Sequence, residues 1–136
     1  MRFLLPLLLI LAGAVGAQTR DSVFDSYDAY EAYVDEKIMS RDFIPLVKTL
    51  GGRDEYTEAQ LSQVNTQLMA AFPVDFENVT RFRQTDLGGG VRQEGRLYWN
   101  GESYAFYYAI LHERGDQIVV LNFNLNSSIS TIMAQF

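Results

Sequence analysis

Two β-hairpins in tandem between Val91 and Leu125 constrain this 136-residue chain more tightly than any other stretch. Asn100-Gly101 marks a two-residue turn, because both central positions of a type I′ turn need positive φ. Closing a ladder around it sets Leu97 against Tyr104, Gly95 against Phe106, Gln93 against Tyr108 and Val91 against Ile110. A second turn through Glu113-Arg114-Gly115-Asp116 sets Ile110 against Val119, Tyr108 against Leu121 and Phe106 against Phe123. Side chains alternate with period two, so these residues share one face, and Trp99 falls on it too. That face carries the large apolar groups and is expected to lie under helices. The opposite face presents Arg92, Glu94, Arg96, Tyr98, Ala105, Tyr107, Ala109, Val120, Asn122 and Asn124.

The chain begins like an export signal. Arg2 supplies a positive end, Phe3 to Leu11 an apolar run too short for a comfortable membrane span, and Val15-Gly16-Ala17 a small-residue cleavage site. Residues 1–17 are read as a signal peptide and 18–136 as a single α+β domain with Gln18 as mature start. No second such run follows, so no membrane span is expected in the mature chain. Cysteine is absent, which removes disulfides, thiol catalysis and thiolate metal sites. Small secreted eukaryotic domains usually carry disulfides, so a bacterial periplasmic or secreted protein is expected. Without Arg2, 10 basic side chains face 17 acidic ones, a net charge of −7. Nucleic acid and anionic membrane surfaces both demand a basic footprint, so neither is an expected partner.

Helices are expected before the sheet. Val23, Tyr27, Tyr30, Val34 and Ile38 recur at spacings of three and four, predicting a helix over 21–39 capped by Asp21 or Ser22. A second helix is predicted over 42–50, with Phe43, Val47 and Leu50 inward and Gly51-Gly52 ending it. Thr57 and Gln60 form a capping box for a third, which buries Leu61, Val64, Leu68 and Phe72 and stops at Pro73. Phe76 to Thr85 reads as the first strand, with Phe76 and Phe82 on one face. The Leu87-Gly88-Gly89-Gly90 stretch reads as a hairpin loop, since it lacks the Gly-Lys-Ser/Thr ending of a phosphate loop. Ser127 or Ser128 can cap a final helix docking through Ile129, Ile132, Met133 and Phe136. The expected architecture is three N-terminal helices packed on one face of a four-stranded antiparallel sheet, with a short C-terminal helix.

Chemistry is sparser. His112 is the single histidine, a weak candidate for a catalytic base oriented by Glu113 or Asp116. Asp25, Asp28 and Asp35 lie off the helix stripe and read as a solvated acidic face, because the EF-hand pattern is missing. No metal site and no cofactor is expected. Arg81, Arg83, Arg92 and Arg96 with Glu77 and Glu94 on the open sheet face read either as an anion-binding patch or, favoured by the interleaved glutamates, as a cross-strand ladder of opposite charges. Tyr27 and Tyr30 from the first helix, with Tyr104 and Tyr108 from the sheet, are candidates to line a ligand pocket.

The capped helix over 57–72 ending at Pro73, the Arg96-Leu97-Tyr98-Trp99-Asn100-Gly101 turn and the paired strands to Leu125 resemble the cystatin-like fold. Within it they resemble the nuclear transport factor/ketosteroid isomerase superfamily, including small secreted bacterial members. That resemblance implies helices on a curved sheet, and dimerisation through a sheet face. Cystatin inhibitors carry a Gln-x-Val-x-Gly loop, which is absent, and no aspartate flanks Tyr104 or Tyr108 as in the isomerases. The expected function is a secreted or periplasmic non-catalytic module binding a small apolar ligand or an envelope protein. An isomerase or dehydratase with a pocket between helices and sheet is the alternative. The open face, with Tyr98, Tyr107 and Val120 rimmed by Arg92 and Arg96, is the expected contact surface for a homodimer or partner, centred on Tyr107.

Overall fold

A computed structural model describes residues 22–51 and 56–136. The expected leader, the start at Gln18 and the cap at Asp21 lie outside these. Val23–Phe24 (β1) comes first, followed by helices Tyr27–Met39 (α1), Phe43–Gly51 (α2) and Glu58–Ala71 (α3). Four long strands follow, Asn78–Gly88 (β2), Val91–Asn100 (β3), Ser103–Arg114 (β4) and Gln117–Asn126 (β5), then Ile129–Met133 (α4). The class is α+β, and the antiparallel sheet has five strands in the order β1-β5-β4-β3-β2. No helix of the described residues is long and apolar enough to cross a membrane.

The extra strand comes from the stretch expected to open the first helix. Ser26, not Ser22, is the N-cap, its hydroxyl accepting from the Ala29 amide at 3.0 Å. Val23 and Phe24 are therefore extended, pairing with Val119 and Ile118 to cover the edge of β5. Beyond the cap, Tyr30, Val34 and Ile38 are buried at helical spacing. Phe43, Val47 and Leu50 turn inward on α2 with Leu46. The capping box on α3 forms as expected: Thr57 Oγ1 accepts from the Gln60 amide at 3.1 Å, and Gln60 Oε1 from the Thr57 amide at 2.9 Å. Leu61 and Phe72 are buried, while Val64 and Leu68 are only half-buried.

Both hairpins form, but each ladder is shifted by two residues. Leu97 pairs with Phe106, Gly95 with Tyr108 and Gln93 with Ile110. His112, not Ile110, faces Val119. The cause is the same at both turns. Asn100 pairs with Ser103 and Arg114 with Gln117, so the central pairs are Gly101-Glu102 and Gly115-Asp116. Each glycine takes the first central position with positive φ, 61° and 63°, and the residue after it does not. That is the pattern of a type II′ turn, which wants glycine first, not second as in Asn-Gly type I′. An even slip leaves each side chain on its expected face.

The identity of the covered face is the larger correction. Tyr98, Ala105, Tyr107, Ala109, Leu111, Ile118 and Val120 form the core with Tyr30, Val34, Ile38, Phe43, Leu46 and Leu50. The helices therefore sit on the face expected to be open. Ala105 and Ala109 let the helices approach closely, and the helices bring the apolar bulk themselves. Glu94 and Arg96 are buried there as well, 0% and 2% exposed. The other face carries Trp99, Tyr104, Phe106 and Tyr108, and Tyr104 remains 43% exposed. Phe136 closes part of it, its ring edge-on to Tyr108 with centroids 5.0 Å apart.

Bulges complete the departures. Between Ile110 and Leu111 the β5 register skips Leu121, which is left 51% exposed, and Phe123 and Leu125 swing to the helix side opposite Ala109 and Tyr107. In β2 the skip falls at Phe82. Its ring lies over Gly95, where an added Cβ would meet it at 2.8 Å, whereas Phe76 precedes the strand and sits in the core. The two phenylalanines are thus not on one face.

Candidate functional site

Two rows of side chains, joined by Tyr107, meet between α1 and the sheet. On β3, Glu94, Arg96 and Tyr98 alternate onto the helix-covered face. On α1, Tyr27, Glu31 and Asp35 follow one another at i+4 and so stack along one line of the helix. Tyr107 stands beside Arg96 on β4. Arg96 engages the helix row along its length: Nη2 donates to Tyr27 Oη and to Glu31 Oε2, each at 2.6 Å, and Nη1 to Asp35 Oδ1 at 3.4 Å. Its Nε donates to Glu94 Oε2 at 2.9 Å.

Glu94 is saturated in turn. Oε1 accepts from Tyr27 at 2.6 Å, and Oε2 accepts from Tyr30 at 2.8 Å besides Arg96. Tyr30 spends its one proton on Glu94, so across the 3.0 Å contact between Tyr30 and Tyr107 it is Tyr107 that donates. Tyr98 donates to Asp35 Oδ1 at 2.7 Å. Burying charges is costly unless they are paired and hydrogen-bonded, and here both conditions are met.

The proton equilibria follow from this packing. Burial alone would lower the affinity of Arg96 for its proton, but the Glu94 carboxylate and the Glu31 hydrogen bond outweigh it and hold the guanidinium charged above its usual range. Burial raises Tyr30, Tyr98 and Tyr107 well above a free phenol. Tyr27 is pushed up to about 12, first by burial and then by its hydrogen bond to Glu94. Burial also raises the Asp35 carboxyl, against the opposing pull of Tyr98 and Arg96.

At the Tyr27 end the network opens into a cleft of about 470 Å³, walled by Tyr27, Asp28 and Glu31 of α1, Arg81 and Gln84 of β2, Arg92 of β3 and Glu113 of β4. Two guanidinium groups lie against the Tyr27 ring, that of Arg92 at 4.6 Å and that of Arg81 at 5.5 Å from its centroid. Arg81 also donates to Tyr27 Oη at 2.6 Å. A smaller hollow of about 220 Å³ continues along Asp86 and the glycine turn.

The expected site residues are thus divided between two surfaces. Tyr27 and Tyr30 belong to the network, with Tyr27 at the cleft. Tyr104 and Tyr108 stand on the opposite sheet face, so the four do not line one pocket. Tyr98, Tyr107, Val120 and Arg96 are buried beneath the helices, and a contact centred on Tyr107 has no surface to use. Arg92 alone of the expected contact set reaches the cleft. Arg81, Arg92 and Arg96 share a face as expected, but the bulge at Phe82 turns Arg83 to the other side, over the Phe136 ring at 4.4 Å. His112 pairs with Val91 and Val119 on the outer face, away from the network. Asp35, expected on a solvated face, is part of the network.

Glu31 and Asp35 were not expected in a site, and Glu94 and Arg81 only as members of the charge cluster on the sheet face. Their signal was the i+4 repeat of Tyr27, Glu31 and Asp35, matched by alternating Glu94 and Arg96. Among the described residues, no group of three or more histidine, cysteine, aspartate or glutamate side chains is placed to hold a metal ion. Compared with protein-family models, curated proteins and solved structures, the chain matches none, so the chemistry of the site rests on its own geometry.

Proposed function

We propose that this protein is an exported module, periplasmic or secreted, that binds a small ligand in the cleft beside Tyr27 without turning it over. The observation carrying this reading is the convergence of side chains from α1, β2, β3 and β4 on one cleft whose central phenol is locked by three hydrogen bonds. An open hollow whose polar groups are already held in place favours a small polar ligand. The helices preceding a long-stranded antiparallel sheet support kinship with the cystatin-like fold. The isomerase or dehydratase alternative needs a carboxylate and a phenol facing substrate. Asp28, Glu31 and Glu113 reach the cleft with Tyr27, but the Tyr27 proton is held by Glu94, which is itself 0% exposed, and its oxygen is held by Arg81 and Arg96, which supports binding over turnover.

A second reading has its own observation. Trp99, Tyr104 and Phe106 form a row of nearly parallel rings on the outer sheet face, with centroids 6.4 and 6.1 Å apart. Exposed aromatic rows of this kind serve as protein contacts or apolar platforms. Amide and side-chain NMR of the exported protein, titrated with a small-molecule extract of the culture, separates the two. Shifts at Tyr27, Arg81 and Arg92 support the cleft. Shifts confined to Trp99, Tyr104 and Phe106 overturn it. Mass spectrometry of the same preparation should find Gln18 at the N-terminus.

A further inference from the structure

We propose that the cleft beside Tyr27 receives a zwitterion of the amino-acid type, its carboxylate between Arg81 and Arg92 and its ammonium toward Asp28 and Glu31. This rests on the cleft being the binding site and adds the chemical class of what enters it.

The carboxylate half comes from two guanidinium groups whose donors are not used up. Arg96 shows what a saturated arginine looks like here, with three carboxylates around it. Arg92 differs. Its Nε is buried with no acceptor among the described residues, and its Nη1 meets Glu113 only at 3.6 Å, beyond the 2.7–2.9 Å of a charge-assisted hydrogen bond. A buried donor without a partner is costly, so an acceptor brought by a ligand is favoured there. Arg81 gives its hydrogen bond to a phenol and has no ion pair among the described residues. Both groups lie within 5.5 Å of one ring centroid, that of Tyr27. A planar carboxylate can accept from two N–H groups at once, which matches what they offer.

The ammonium half comes from charge balance. Asp28, Glu31 and Glu113 line the same cleft, three acids against two arginines. A ligand carrying only negative charge meets a wall that is net negative, with the acids closer to it than a Debye length at physiological salt. A ligand with its own cation offsets it. Asp28, in the first turn of α1, is exposed and makes no hydrogen bond or ion pair among the described residues, so its carboxylate is free to accept an ammonium. About 470 Å³ of open cleft suits a compact molecule.

The test is calorimetric and NMR titration of the exported chain with the twenty common amino acids and glycylglycine, against acetate, choline and inorganic phosphate. At least one zwitterion should bind with Kd below about 1 mM and move the Tyr27, Arg81 and Arg92 resonances. Arg92→Gln and Arg81→Gln should each weaken it about tenfold or more, since each removes a charged donor. Asp28→Asn should weaken the zwitterion yet strengthen acetate, a reversal that a plain anion site does not produce. Circular dichroism checks that the variants fold. Phosphate or choline moving the cleft resonances while no zwitterion does overturns the ligand class and leaves the cleft reading standing. No probe moving them overturns both.

Discussion

Arg96 Nε donates to Glu94 Oε2 at 2.9 Å, and these two side chains, two residues apart on β3, lie together beneath α1. Alternation along the strand points them the same way, and the i+4 row of Tyr27, Glu31 and Asp35 meets them from above. Only one rotation and one height of α1 on the sheet lets Arg96 reach all three. Buried ion pairs add little net stability compared with apolar packing, and their attested use is to fix register. Here they fix how the helix sits and hold Tyr27 at the cleft.

The covered face can be checked by truncation. Tyr107→Ala should cost about 3–5 kcal/mol, as large-to-small core changes do. Phe106→Ala, on the half-open outer face, should cost under about 2 kcal/mol. Urea denaturation of both variants gives the order, and the reverse order would put the helices on the other face.

Asp35 gives a pH dependence of unusual sign. Its carboxyl is raised above the ordinary 3.8 by burial, so the folded protein takes up a proton before the unfolded chain does. The stability it contributes is fully present below pH 3.8 and is lost as pH rises through the raised value. The stability of the wild type minus that of Asp35→Asn should therefore grow as pH falls toward 4 from above. Chemical denaturation across that window measures it, and a shrinking difference would contradict the burial of this group.

Alkaline behaviour follows from the phenols. Tyr27 ionises at 10.0 when free and at about 12 in the fold, so its contribution is intact below pH 10 and is lost as pH rises through 12. Tyr30, Tyr98 and Tyr107 are raised as well. Tyrosinate absorbance from these four should appear together with loss of structure, in one cooperative step. Smooth ionisation of all four in a protein still folded would show that they are exposed.

Much of the fold was legible because local signals carried it. The Thr57/Gln60 box, the stripe Tyr30, Val34, Ile38 and the inward Phe43, Val47, Leu50 each follow from rules acting within one or two turns of helix. The turns were legible as turns, but a glycine at the first or the second central position differs by two residues of register, and Asn100-Gly101 pointed to the wrong one. The covered face was misread for a physical reason. Alternation ranks a face by its apolar side chains, whereas Glu94 and Arg96 are buried because α1 supplies their partners, a pairing some sixty residues away in sequence. The bulges at Phe82 and Leu121 reverse alternation midway along a strand, which no period-two pattern records. For the site, Tyr27 was foreseen as a ligand residue and Arg81 with Arg92 as neighbours on one sheet face, but the meeting of those arginines with Tyr27 was not.

The most direct measurement is a double-mutant cycle on Arg96 and Glu94 by equilibrium urea unfolding. Arg96→Met alone strands a buried carboxylate and should cost about 3–5 kcal/mol, whereas Arg96→Met with Glu94→Leu should recover most of that loss. A loss under about 1 kcal/mol for Arg96→Met would mean that the pair is solvated, that α1 does not cover it, and that the network behind Tyr27 does not exist as described.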